Sequence, residues 1–345
     1  MRLYKLEALR GFAAAYVVVH HAAPAHFYMF GFDWGLLFRF GHEAVMLFFL
    51  ISGFVIHYSY QHSSDRSFRN YFLKRFTRIY GPLVFVFPLY YAISSAHAGA
   101  LVDPEWWNLL GNLLMLQSLE PDALIEPYMR DKPLWSLTFE WWFYMMYFPL
   151  ASRIADDEFR TRIVLGVSIA AAVCFQFFPA MAFRTLMYFG LWWCGVALAG
   201  LFIRGARIDF AAIRLPLAAL IIIDLILALS FWMGFDLVPP EARKVYGTLE
   251  LRHFGFATVA LIAAVCWHRI GWIGFAVFKP FLILAPISYG MYISHFGIVR
   301  NRDYLEFIGN PFLEFAVAIA LMFAVAFALE RVLYPRIRRM FVINP

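Results

Sequence analysis

Residues 10–21 read RGFAAAYVVVHH. A guanidinium opens the run, alanine, valine and aromatic residues fill it, and two imidazoles close it. The filling belongs in lipid, so the polar groups at its two ends need a reason. Composition settles the solvent first. Of the 345 residues 63% are hydrophobic and 15% charged, far from the roughly half apolar and quarter charged usage of soluble domains. The chain therefore reads as a membrane protein.

Apolar runs recur from Phe12 to Val332, separated by short polar loops with no low-complexity tract, which predicts one polytopic domain over residues 1–345. The expected fold is all-α, a transmembrane bundle of about ten spans. They lie near residues 10–28, 42–60, 80–97, 134–152, 163–179, 185–203, 215–235, 254–268, 280–298 and 312–332. No small-residue cleavage site follows the first run, so it is expected to stay as a span. The stretch WWNLLGNLLMLQSL at 106–119 is too short to cross and reads as re-entrant or interfacial. Cys174, Cys194 and Cys266 lie in apolar stretches without metal-ligand spacing and read as packing residues, with no disulfide and no metal.

Charge orients these spans. With a cytoplasmic N-terminus and ten crossings, only nine of the 29 basic residues face outward: Arg39, Arg130, Lys132, Arg184, Arg243, Lys244, Arg252, Arg300 and Arg302. That satisfies the positive-inside rule, and counting 106–119 as a span would reverse every later loop. Both termini are then cytoplasmic. The net charge of +6 needs no nucleic acid, because basic loops facing anionic headgroups of the bilayer account for it.

Arg10 and His21 are eleven residues apart, which puts them on one helical stripe about 16 Å apart along the axis. His20 points about 100° away and reads as a packing or structural residue. Arg10 and His21 are either a snorkelling arginine with a satisfied core histidine or the two ends of one functional face. In PLWSLTFEWWFYMMYFP, Glu140 sits in the outer third of its span, with Ser136 and Tyr144 one turn away on the same face. A carboxylate in lipid is costly, so it should face the bundle interior. In APISYGMYISHFGIV, Ser288, Tyr292 and His295 form a polar stripe. Arg75 and Arg78 in YFLKRFTRIYGPL share a helix face, and paired guanidiniums suit phosphate oxygens; positive-inside anchoring also explains them.

These pieces resemble the motifs of the membrane-bound acyltransferase-3 family. LEALRGFAAAYVVVHH resembles its opening motif, in which ten residues intervene between an arginine and a histidine, here Arg10 and His21. VMLFFLISGFVI resembles the second, centred on Phe48, Phe49, Ser52, Gly53 and Phe54, and KRFTRIY the paired-arginine motif of Arg75 and Arg78. WSLTFEWWFY is similar to the tryptophan-serine-leucine stretch with its glutamate, here Trp135, Ser136 and Glu140; SYGMYISH resembles the late motif ending in His295. Met46, Trp141 and Gly81 depart from the family pattern, where an acid, a second glutamate and an immediate proline are common.

The resemblance implies transfer of an acyl group, most often acetyl, from cytoplasmic acyl-CoA to a hydroxyl of an extracytoplasmic saccharide or glycolipid, in a bacterial inner membrane. It implies acyl-CoA as co-substrate and no tightly bound cofactor. His21, Glu140 and His295 are the expected catalytic residues, with His21 the base or acyl carrier. Arg10, Arg75 and Arg78 would hold the coenzyme A phosphates, and Trp135, Ser136, Tyr144, Ser288 and Tyr292 would contact substrate. The chain ends soon after its last span, so no fused hydrolase-like domain is expected, and acceptor delivery is either intrinsic or the work of a partner protein. Two other classes compete. A proton-coupled transporter or permease also uses intramembrane histidine, glutamate and arginine, but the sequence has no convincing internal repeat. A structural scaffold is disfavoured by so many polar groups at apolar depth.

Overall fold

The computed structural model describes residues 3–23, 26–119, 123–233 and 240–341, the side chains of 240–248 and 268–274 excepted. Its α-helices are α1 Tyr4–Ala22, α2 Gly41–Gln61, α3 Phe68–Ala98, α4 Trp106–Leu113, α5 Trp135–Arg153, α6 Asp157–Phe177, α7 Met181–Ile203, α8 Arg214–Met233, α9 Pro240–Phe278, α10 Ser288–His295, α11 Pro311–Phe327 and α12 Tyr334–Phe341. The strands β1 (Tyr28–Met29) and β2 (Phe32–Asp33) form one short hairpin. Its turn residues Phe30 and Gly31 both have positive φ, the geometry of the tight turns that match strand twist.

The helix ends follow local chemistry. Ser67 caps α3 by accepting from the Asn70 N–H, and Gly99 in the left-handed region ends it. Asp156 caps α6, and Asn310 caps α11 ahead of Pro311. Pro82 and Pro88 lie inside α3, as membrane helices tolerate. This helix starts twelve residues before the expected span at 80, so Arg75 and Arg78 are carried on it rather than on a loop.

Each of the ten apolar stretches contains helix among its described residues, although the first leaves the helix at Ala22 and reaches β1 at Tyr28, and the ten-span count is not reproduced. Among the described residues six helices are long and apolar enough to cross a membrane, or seven with the bent pair Phe275–Ile283 and Ala285–Arg300, whose halves meet at 51°. The three others are α1, α5 and α6. Lys5, Glu7 and Arg10 crowd α1, Glu140 and many aromatic residues lower α5, and Asp157, Glu158, Arg160 and Arg162 open α6. The 106–119 stretch forms only the eight-residue α4, too short to cross. The chain is an integral membrane protein with an all-α fold.

Contacts group the residues into two compact units, Met1–Ala44 with Ser67–Trp141 and Phe278–Pro345, and Val45–Arg66 with Trp142–Val277. Helices α2 and α5 each contribute residues to both. In the first unit, Gly11 brings α1 against the Phe281 carbonyl, and Gly290 brings α10 against Ala326 of α11. A side chain at either position would collide with backbone. Val18, Met291, Ile298 and Met322 fill the core beside these crossings. In the second unit Gly53 of α2 abuts the Trp192 carbonyl and Gly195 of α7 abuts the Leu50 carbonyl. This reciprocal fit is the close approach that small residues give membrane helices. Around it Tyr147, Trp192 and Trp193 are fully buried.

Candidate active site

The first unit gathers most of the predicted polar residues. His21 lies in the last turn of α1 and His295 ends α10. Their rings meet: Nδ1 of His21 is 3.0 Å from Nε2 of His295, and ring centroids are 5.0 Å apart. The hydrogen-bond pattern assigns the protons. Nδ1 of His295 faces only carbonyl oxygens, Tyr292 at 2.7 Å and Met291 at 3.3 Å, so it carries a hydrogen and leaves Nε2 as an acceptor. Nδ1 of His21 faces that acceptor and the Val17 carbonyl at 3.1 Å. It therefore donates. The lone pair of His21 is thus on Nε2, which has no partner among the described residues. An imidazole held in one tautomer with its other nitrogen open is the arrangement a general base or nucleophile requires.

His20 turns away from this pair and donates to the Phe38 carbonyl at 2.5 Å, as the helical geometry anticipates. Its ring fills the space left by Gly41, where a side chain would collide with it. With Tyr16, which bonds the Leu37 carbonyl, it ties the end of α1 to the short helix at 34–38.

The predicted substrate residues separate. Ser136 and Tyr292 meet, oxygen to oxygen, at 2.7 Å, and both also reach the Pro133 carbonyl, Tyr292 at 2.9 Å and Ser136 at 3.3 Å. The Tyr292 backbone thus positions His295 while its hydroxyl fastens the start of α5. Trp135 packs against His42 and, edge to face, against Phe139. Ser288 bonds the Ala285 carbonyl at 3.0 Å. Tyr144 belongs to the second unit, where its hydroxyl meets Ser52 at 3.2 Å.

Arg10 donates to the Ala285 carbonyl at 3.0 Å, and the charges acting on it come from Arg78, Glu330, Glu7 and Glu140. Arg78 bonds Glu330 at 2.6 Å and lies over the rings of Tyr289 and Tyr334, 5.0 and 5.1 Å from their centroids. Arg75 stands over the Tyr71 ring at 5.4 Å. The three arginines and Glu140 thus share the first unit with the histidines, and one guanidinium is already matched by a carboxylate.

Sequence reasoning missed three residues here. Glu330 was legible as an acid inside the last apolar run; it sits in the π-helical segment Ala328–Leu333, and a second π segment, Phe296–Arg300, follows His295 directly. Such segments concentrate at functional sites. Tyr90 bonds the Ile293 carbonyl in the turn before His295, and Gly297 leaves room for its ring. Asp131 is 2% exposed, with neither carboxyl oxygen paired. Burial pushes this carboxyl well above its usual range, the Tyr90 hydroxyl opposing without cancelling the shift.

A helical membrane protein with an oriented imidazole pair and a group of guanidiniums in one unit has the parts of a membrane-embedded group-transfer enzyme. The acyltransferase-3 family, described as an acyltransferase domain, matches residues 3–331, and the chain belongs to that family. It is 32% identical over 198 residues to acyltransferase MdmB of Streptomyces mycarofaciens, a stretch covering 53% of this chain and 49% of that protein. The chain thus spans about half the length of this curated relative. No solved structure matches.

Proposed function

We propose that this protein is an O-acyltransferase that moves an acyl group, acetyl in the first instance, from acyl-CoA on the cytoplasmic side of a bacterial inner membrane to a hydroxyl of an extracytoplasmic saccharide or glycolipid. The His21–His295 pair carries the reading. Nε2 of His21 takes the proton of the acceptor hydroxyl as that oxygen attacks the thioester carbonyl. The tetrahedral intermediate expels the coenzyme A thiolate, which receives the same proton from Nε2 as free thiol. His295 accepts from Nδ1 of His21 throughout, holding the ring as it becomes an imidazolium. General base catalysis of this kind contributes about 10²–10⁴-fold.

Arg10 and Arg75 bind the donor phosphates in this reading, with the N–H groups of Arg78 that Glu330 leaves open. Glu140 balances their charge. Acceptor delivery is intrinsic or made by a partner protein. Mass spectrometry of envelope glycans from cells with and without this chain tests the proposal. Acylation should disappear without the chain and stay absent when His21→Ala is supplied at normal abundance. Unchanged acylation in both cells overturns the function; rescue by the variant overturns the role of His21.

A further inference from the structure

The second unit contains a cavity of about 590 Å³, built from residues that take no part in the histidine pair. That volume is in the range of small-molecule sites. At its floor lies His57, 2% exposed, whose Nδ1 meets the Tyr147 hydroxyl at 2.9 Å and whose Nε2 has no partner among the described residues. Arg160, equally buried, forms part of the wall; its Nε is unsatisfied, although its terminal nitrogens bond Asp157 and the Ile154 carbonyl. Arg204 and Arg214 stand exposed at the rim.

The rim acids are already engaged. Asp156 caps α6, Asp157 takes Arg160 and, at 3.0 Å, Arg204, and Glu158 pairs with Arg162 at 2.5 Å. Arg214 has no ion pair among the described residues, and Arg204 uses one of its five N–H groups. The positive end of α8, which begins at Arg214, adds to the same rim. Leu201 and Leu261 make the wall below apolar. Positive capacity above, apolar wall and one imidazole below describe a receptacle for an anionic head joined to a less polar body.

We propose that this cavity binds a phosphate ester, its phosphate held by Arg204 and Arg214 and its ester or hydroxyl oxygen bonded by His57. Two sources share that chemistry, the headgroup of a membrane phospholipid and a soluble phosphate ester. The inference does not rest on acyl transfer.

The test is binding to the purified full chain in neutral detergent, by titration with short-chain phosphatidylglycerol, glycerol 3-phosphate and, as the phosphate-free control, dioctanoylglycerol. Saturable binding of either phosphate compound, with none of the control, is expected. Binding only of the lipid names the membrane as the source; equal binding of glycerol 3-phosphate names a soluble ester. The double variant R204Q/R214Q should weaken binding about tenfold or more, since both guanidiniums that hold the phosphate are lost. Arg336→Gln, an exposed arginine of the first unit, should leave it unchanged. His57→Gln should weaken binding without changing its phosphate requirement, and Leu201→Trp, which fills the cavity from its wall, gives an independent variant if His57→Gln does not fold. No saturable phosphate-dependent binding, equal loss in Arg336→Gln, or full affinity in both R204Q/R214Q and Leu201→Trp overturns the proposal.

Discussion

His21 shows how much a single side chain owes to its neighbours. Its place on a stripe with Arg10 follows from helical periodicity, and so did the divergence of His20, which bonds the Phe38 carbonyl instead. Its tautomer does not follow from sequence, because it is set by His295, 274 residues away, and by the carbonyls of Tyr292 and Met291. Asp131 was illegible for a different reason: a carboxyl in a short loop between basic neighbours reads as solvated, whereas the fold leaves it 2% exposed. Its folded-state pKa lies well above the unfolded value of about 3.9. The stability it contributes is therefore fully present below that unfolded value and is lost as pH rises through the raised one. Melting the wild type and Asp131→Asn in detergent over a pH series should show the wild type losing ground to the variant as pH rises. A difference that stays constant with pH would show that the carboxyl titrates in the folded chain as it does in the unfolded one.

At the scale of elements, what sequence could not supply was which helices touch. Ser136 and Tyr144 each lie one turn from Glu140 on α5, yet Ser136 meets Tyr292 in one unit and Tyr144 meets Ser52 in the other. The shared face was real, but α5 passes from one unit to the next between them. The motif glycine Gly53 has its explanation in the crossing with α7, where Gly195 answers it. Glu330 belongs to this scale as well: a π-helical turn in the last apolar run carries it to Arg78 on α3, where its side chain is 3% exposed. Removing one partner of a fully buried ion pair costs about 3–5 kcal/mol; with Arg78 28% exposed, that figure is an upper bound here. Glu330→Ala should lower thermal stability, by less than that bound. Glu330→Ala with Arg78→Met, which removes both charges, should recover much of it. Equal melting temperatures for wild type and the single variant would mean that water, not Glu330, solvates Arg78.

For the whole molecule, composition alone identified the solvent, and each of the ten apolar runs falls on helix, while α12 lies beyond the last of them. The number of crossings was not legible, because α1, α5 and α6 carry the polar residues that a site needs and so lose the hydropathy that marks a span. The family match runs from residue 3 to residue 331, through both units. The direct measurement is release of free coenzyme A by the purified chain in liposomes, supplied with acetyl-CoA and an envelope glycolipid extract. The wild type should consume the thioester only when the extract is present, and His21→Ala should be slower by about 10²–10⁴-fold while melting normally. Equal rates for the two proteins, or no thioester consumption by either, would contradict an oriented imidazole as the centre of this enzyme.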